Sequence, residues 1–325
     1  MRLIIIDEGM KSVKTLRQKS VSTENLLQNG LKILKKAKIA NPAMETEIIF
    51  AAVLGKTREY LYTHPDNTIS PSQKRQFQRA IIRRSRREPL AYITGQKEFY
   101  GHPFIVNRRT LIPRPETEQL VDLALNELQT CNTSNIQYID VIDVGTGSGA
   151  IIVSLVKTLL RTLYSEPLTR FYAIDSSKRA LVVTHENAKR LGVEQHIQFL
   201  HGDLLLPYIR QVRFNQHRNI DTSTYRVILA NLPYLTNAEM KHLQPEVRFE
   251  PTSALLGGKD GLDIYRIFFE QLARPEVPFT AICEIAPQQK KTLSSILKTS
   301  FPSATVEFFK DFSKRIRFVR IQNAP

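Results

Sequence analysis

Asp143-Val144-Gly145-Thr146-Gly147-Ser148-Gly149 is the stretch on which the fold turns. It follows the apolar run at residues 138–144 and opens a stretch at residues 150–163 with helical apolar spacing. Strand, glycine-rich loop and helix in that order place a flexible backbone at the carboxyl end of a strand, where it can turn tightly and let a ligand approach closely. The loop has no Lys-Ser/Thr ending, so it is not a triphosphate-binding loop. Its Gly-x-Gly-x-Gly spacing also departs from the dinucleotide fingerprint. An empty tight turn is the plain alternative, and what lies downstream argues against it. The next strand, at residues 171–174, runs into Asp175, an acid placed to accept hydrogen bonds from ribose hydroxyls, although alone it would also serve as a helix cap before Ser176. The following strand ends in Gly202-Asp203-Leu204, an acid and an apolar residue fit to flank an adenine. Taken in series, loop, Asp175, Asp203 and Leu204 read as a nucleoside-cofactor site.

A second motif, Asn231-Leu232-Pro233-Tyr234, ends the apolar strand at residues 227–230. The nitrogen of an amide or an exocyclic amine is a poor nucleophile because its lone pair is delocalised. An enzyme that methylates it must hold it in line with the methyl carbon. The Asn231 side-chain oxygen and the backbone carbonyl of Leu232 can accept its two N–H bonds, Pro233 stiffens the loop, and Tyr234 offers a flat face. Positioning and electrostatics then supply the rate, and no strong base is needed because the proton can leave after the nitrogen becomes cationic.

Outward from these motifs, strands recur near residues 197–200, 279–285, 306–309 and 316–321, with a helix at 178–191. Such alternation means a mostly parallel sheet with helices on both faces. Upstream the pattern is helical. Leu26, Leu27, Leu31 and Leu34 follow a cap at Ser22-Thr23, a second stripe from Glu47 to Leu54 closes at Gly55, and a third helix spans residues 71–87 before Glu88-Pro89. Between them, Phe99 to Val106 reads as a hairpin turning at residues 101–103, and Pro113-Arg114-Pro115 precedes a helix at 116–128. The expected organisation is a helical domain over residues 1–93, a hairpin linker over 94–112 and a catalytic α/β domain over 113–325.

The 325 residues suffice for a core without disulfides or metals, and two cysteines, Cys131 and Cys283, are too few for either framework. No apolar run approaches the roughly 18 residues of a membrane helix. The apolar patch after Met1 is too short for a signal peptide, so a cytoplasmic protein is expected. The formal net charge is +15. Its excess gathers between Lys74 and Arg109, either as a solvated helix face or as a surface that meets RNA or a partner working beside RNA.

The same motifs carry a resemblance. Glu88-Pro89-Leu90-Ala91-Tyr92-Ile93-Thr94-Gly95, Phe99-Tyr100-Gly101, Leu111-Ile112-Pro113-Arg114-Pro115-Glu116-Thr117-Glu118, Pro245-Glu246-Val247-Arg248-Phe249-Glu250-Pro251 and Gly257-Gly258-Lys259-Asp260-Gly261-Leu262-Asp263, with the glycine loop and Asn231 to Tyr234, resemble the HemK family of glutamine methyltransferases over roughly residues 26–321. The resemblance implies a Rossmann-like class I S-adenosylmethionine-dependent methyltransferase domain preceded by a small helical bundle and a β-hairpin linker. It implies methyl transfer from S-adenosylmethionine to the side-chain N5 of the glutamine in the Gly-Gly-Gln loop of class I peptide chain release factors. Gly145, Thr146, Gly147, Ser148, Gly149, Asp175, Asp203, Leu204 and Asn231 would bind the cofactor, and Asn231, Leu232, Pro233 and Tyr234 the target amide, with no metal.

Two departures stand out. The family usually has proline where this chain has Leu232, and Asn-Leu-Pro-Tyr resembles the motif of rRNA adenine N6-dimethyltransferases. An adenine N6-methyltransferase acting on rRNA or DNA is therefore a second reading, and a glutamine methyltransferase of a ribosomal protein a third. The segment Asp311-Phe312-Ser313-Lys314-Arg315 stands where the family tends to have a Gly-Arg step. Arg114 and Glu116 are read either as pocket walls or as helix caps, and Glu284 as structural or substrate-supporting. His185 and His201 lack metal-like partners in the sequence.

Overall fold

The computed structural model describes residues 23–64, 68–130, 136–161, 168–215, 224–274 and 278–323. Ser22, the apolar patch after Met1, and Cys131 lie outside them. The chain divides into two compact units, residues 1–86 and 87–325.

The first unit is helical: α1 (Thr23–Lys36), α2 (Pro42–Leu54), α3 (Arg58–Thr63) and α4 (Pro71–Ser85). Local chemistry sets these boundaries. Pro42 occupies the first turn of α2, where no N–H is missed, and Gly55 ends it in the left-handed conformation. Ser70 and Gln73 form a reciprocal capping box at the start of α4. Leu26, Leu34, Ile49, Phe50, Phe77 and Ile81 are buried between the helices, and the Phe50 and Phe77 rings meet edge to face at 5.0 Å. Buried side chains of this size each stabilise by about 1.5–3 kcal/mol relative to exposure, so an apolar stripe per helix suffices to hold the bundle. The basic stretch is not uniform. Arg84 is buried and paired with Glu45, whereas Arg75, Arg79, Arg83 and Arg86 are exposed at spacings that put them on one side of α4.

The second unit opens with α5 (Leu90–Thr94) and a hairpin, β1 (Gln96–Phe99) and β2 (His102–Ile105). The hairpin register pairs Phe99 with His102, so the turn is Tyr100-Gly101 rather than residues 101–103. Both turn residues have positive φ, 51° and 70°, the pattern of a two-residue turn matched to strand twist. A 3-10 turn (Pro115–Thr117) leads into α6 (Glu118–Thr130). Then come β3 (Tyr138–Val144), α7 (Ala150–Arg161), β4 (Leu168–Asp175), α8 (Lys178–Arg190), β5 (Ile197–His201), α9 (Leu206–Asn215) and β6 (Thr224–Ala230). The chain continues through β7 (Leu235–Thr236), α10 (Asn237–Lys241), β8 (Leu256–Gly258), α11 (Asp263–Ala273), β9 (Phe279–Glu284), α12 (Lys290–Ser300), β10 (Thr305–Lys310) and β11 (Ile316–Asn323).

Seven strands form one sheet in the order β10-β11-β9-β6-β3-β4-β5. The five from β9 to β5 are parallel, and β11 and β10 add antiparallel. This is the expected α/β Rossmann-like architecture. Alternate residues of each central strand feed two cores. Ile139, Val141, Val227 and Leu229 pack with α6 and α7, whereas Ile142, Val144, Ile228 and Ala230 pack with α11 and α12. Strand order reverses at β3. There the carboxyl ends of β3 and β6 lie in register, Val144 beside Ala230, so the glycine loop and Asn231 emerge as neighbours. No helix among the described residues is long and apolar enough to cross a membrane.

Candidate active site

A cleft of about 850 Å³ opens over the strand ends, lined by Gly145, Gly147, Asp175, Asp203, Leu204, Asn231, Leu232 and Pro233 among others. Eight of the residues singled out in the sequence thus come together. Thr146, Ser148 and Gly149 do not line it and shape the loop instead. The Thr146 hydroxyl donates to Asp143 Oδ2 at 2.7 Å, and the Ser148 carbonyl accepts from Asn187 Nδ2 at 2.9 Å. Asn187 also exchanges two hydrogen bonds with the backbone of Ile105, tying the hairpin to the loop.

The loop is fixed to its neighbour strand, because Gly145 and Thr146 both donate from their backbone N–H to the Ile174 carbonyl at 2.9 Å. Gly145 has φ +75°, and a Cβ there would stand 3.2 Å from Leu232 Cδ2. Only glycine lets this wall of the cleft sit so close to the Asn231 loop. Asp175 Oδ2 accepts from the Gly147 N–H at 2.9 Å and Oδ1 from the Ser177 N–H at 2.8 Å. Burial raises its pKa, and these two N–H bonds oppose the rise. Each oxygen keeps lone-pair capacity toward the cleft. Gln271, itself buried, donates to Asp203 Oδ2 at 3.3 Å and accepts from the Leu205 N–H at 2.8 Å. That clamp holds Leu204 in the left-handed region at φ +46°, a strained conformation of the kind that marks functional loops.

Acidic Asp175 and Asp203, apolar Ile174, Leu204, Leu232 and Ile264, and glycine backbone at Gly145 and Gly147 line one cleft. This donor and acceptor set fits a purine nucleoside with a polar tail. The segment read as linker also contributes, through Arg109, Thr110 and Leu111.

A second cavity, of about 970 Å³, shares Leu111, Asn231, Leu232 and Ala254 with the first and adds Arg114, Tyr234, Glu239, His242 and Val247. Asn231 and Leu232 are therefore the threshold between two spaces. Tyr234 belongs to the second, and burial pushes its hydroxyl up to about 12, so it stays protonated near neutrality.

The Asn231 loop is held from below by residues that its own sequence does not reveal. The buried Tyr265 hydroxyl accepts from the Leu232 N–H at 3.4 Å and donates to the Glu284 carbonyl. Gln289 donates to the carbonyls of Tyr234 and Gly261 at 3.1 and 3.0 Å. A Cβ on Gly257 would stand 2.6 Å from the Pro233 carbonyl, so that glycine is demanded by backbone-to-backbone packing. Asn231 Nδ2 donates to Thr117 Oγ1 at 3.2 Å, and Thr117 Oγ1 donates to Glu284 Oε2 at 2.7 Å. Burial pushes the Glu284 carboxyl up to about 7, against the Thr117 bond and the nearby Arg317 charge.

Arg114 stands at the N-cap position of the 3-10 turn but makes no capping bond with its side chain. Its guanidinium pairs with the buried Glu250 at 2.6 Å, while Glu250 also accepts from the Ile112 N–H at 3.0 Å. This joins two of the sequence motifs at the rim of the second cavity. His185 contacts Glu194 at 2.8 Å and His201 the Ser176 carbonyl at 3.1 Å.

A model of the PrmC N-terminal domain matches residues 25–95. A release factor glutamine methyltransferase of Dictyoglomus turgidum is 34% identical over 289 residues, covering 88% of this chain and 94% of the relative. One of Deinococcus radiodurans is 32% identical over 301 residues, covering 92% and 98%. Among solved structures, the hMettl16 catalytic domain in complex with MAT2A 3'UTR hairpin 1 superposes with a TM-score of 0.51 at 12% identity, over 85% of this chain and 93% of that one, which is a likeness of fold. Near-complete coverage at this identity, on a chain whose two cavities meet at an Asn-x-Pro-Tyr loop, places the protein in the release factor glutamine methyltransferase family.

Proposed function

We propose that the protein transfers a methyl group from S-adenosylmethionine to the side-chain N5 of the glutamine in the Gly-Gly-Gln loop of class I release factors, in the cytoplasm where those factors act. The observation that carries this is the pair of cavities meeting at Asn231 and Leu232. One is polar-ended and fits a nucleoside cofactor, and the other opens from the same threshold onto Tyr234 and Arg114.

Bound in the first cleft, S-adenosylmethionine supplies an electrophilic methyl group on a sulfonium. Gly145, Gly147, Asp175, Asp203 and Leu204 would hold it, with Thr146, Ser148 and Gly149 keeping the loop in shape. The target amide enters from the second cavity. Asn231 Oδ1 and the Leu232 carbonyl accept its two N–H bonds, and Pro233 and Tyr234 limit its plane. Fixing both N–H groups aims the nitrogen and favours the electron distribution that bonds. Tyr234 stays protonated and is no base, so the proton leaves to water once the nitrogen is cationic.

Residues 1–93 form the substrate-recognition domain on this reading, residues 94–112 the hairpin linker and 113–325 the methyltransferase domain. The Arg75, Arg79, Arg83 and Arg86 face of α4 favours work close to ribosomal RNA or to an acidic partner beside it.

Methyl transfer from labelled S-adenosylmethionine tests the reading, with purified release factor, its loop Gln→Ala variant, free rRNA and duplex DNA assayed in parallel. Label is expected on the release factor and absent from the variant. Label on RNA or DNA alone would replace the amide reading with an adenine one.

A further inference from the structure

We propose that Thr117 and Glu284 are positioning residues that fix which way round the Asn231 amide sits, and that this makes the target site select a primary amide over the corresponding acid. The inference rests on the amide-methylation reading above.

Three elements meet here. Asn231 follows β6, Thr117 closes the 3-10 turn before α6, and Glu284 ends β9. Thr117 and Glu284 are 4% and 1% exposed, so water does not stand in for a lost partner. Thr117 has a single hydroxyl proton, and Glu284 Oε2, 2.7 Å away, takes it. A proton on the other carboxyl oxygen leaves Oε2 an acceptor. The Thr117 oxygen then faces Asn231 with lone pairs alone, and the group that can meet it is the Asn231 Nδ2, at 3.2 Å. A flipped amide would set Oδ1 against an oxygen whose proton points elsewhere, leaving two acceptors face to face, one of them on the buried Thr117.

The direction of this chain therefore delivers Asn231 Oδ1 to the threshold of the two cavities. With the Leu232 carbonyl it offers acceptors to the incoming group and no donor. A primary amide satisfies both through its two N–H bonds. A carboxylate of the same shape meets acceptors only and is repelled. If Asn231 were free to flip, its Nδ2 would serve a carboxylate and the discrimination would fade. The enzyme thus reads the target's hydrogen-bonding pattern as well as its position, through two residues that never touch it.

The full-length enzyme tests this through Thr117→Val, Thr117→Ser and Glu284→Leu. For each, kcat and KM for release factor are measured, together with inhibition by the same factor carrying Gln→Glu in its loop, cofactor Kd by calorimetry and thermal unfolding. Thr117→Val should lower kcat/KM about five-fold and bind the Gln→Glu factor about five-fold more tightly, the scale of one net hydrogen bond, with cofactor Kd unchanged. Thr117→Ser should restore both. Glu284→Leu, which removes the acceptor of the Thr117 proton and frees that proton to turn toward Asn231, should shift selectivity the same way as Thr117→Val.

Unchanged selectivity in Thr117→Val, or no restoration by Thr117→Ser, overturns the proposal. If Thr117→Val fails to fold, unchanged selectivity in Glu284→Leu overturns it. A wild-type enzyme that leaves the release factor unmethylated overturns the amide reading and this proposal together. A wild type that methylates it, alongside variants of unchanged selectivity, overturns only the positioning role.

Discussion

Leu232 brings a backbone N–H to a place where the family's usual proline has none, and the structure gives that N–H a partner in the Tyr265 hydroxyl at 3.4 Å. The departure is thereby absorbed in the buried layer beneath the loop, and the carbonyl of residue 232 remains available to a substrate. Gly145, Asp175 and Asn231 were legible in the sequence because each sits at the end of an apolar strand, where a short local pattern signals it. Thr117, Tyr265 and Gln289 were not. Their partners lie 114, 33 and 55 positions away in the chain, and no local pattern announces a hydrogen bond of that span. Asp175 allows a direct test at this scale. Asp175→Ala removes the carboxylate from the wall of the proposed cofactor cleft and should raise cofactor Kd by about ten-fold or more, the worth of a hydrogen bond to a charged group. The kcat at saturating cofactor should change far less. An unchanged Kd by calorimetry would refute the ribose assignment.

The strands were read within a few residues of their observed ends because β3, β4, β6 and β9 are buried on both faces and appear as short apolar runs. The hairpin turn was misplaced by a residue because Tyr100, not an expected turn former, takes the left-handed conformation beside Gly101. The short helices α3 and α10 carry too little apolar periodicity to read, although the Thr236–Glu239 capping box of α10 was a usable signal. The Asp311 to Arg315 turn, where the family tends to have glycine, has a physical account. It joins β10 to β11, and Asp311 exchanges backbone hydrogen bonds with Arg315 and Lys314. Lys314 pays the left-handed penalty there, at φ +61°. Relief of strain worth about 1–2 kcal/mol outweighs the extra unfolded-state freedom of glycine, about 0.4–1 kcal/mol. Lys314→Gly should therefore raise unfolding stability in urea by up to about 1 kcal/mol. A loss of stability of that size would contradict the account.

At the scale of the molecule, the net charge of +15 was plain from composition, but its deployment was not. Within the basic stretch, Arg84, Arg87 and Arg108 pair with Glu45, Glu246 and Glu88, and Arg75, Arg79 and Arg83 present exposed side chains along α4. Reversing these three to Glu should raise KM for a macromolecular substrate about ten-fold at low salt. The difference should shrink as ionic strength rises and the Debye length falls below about 5 Å. A change confined to cofactor affinity would contradict a docking role for this face. On the proposed function, the two cavities meeting at Asn231 and Leu232 serve methyl transfer to a glutamine side-chain amide. The most direct measurement is fragmentation mass spectrometry of release factor after incubation with S-adenosylmethionine and either wild-type enzyme or Asn231→Ala. One added methyl is expected on the side chain of the loop glutamine, formed about 10²–10³-fold more slowly by Asn231→Ala, the scale of one positioned polar contact. A methyl found elsewhere on the factor, or formed equally fast by the variant, would overturn amide methylation at Asn231.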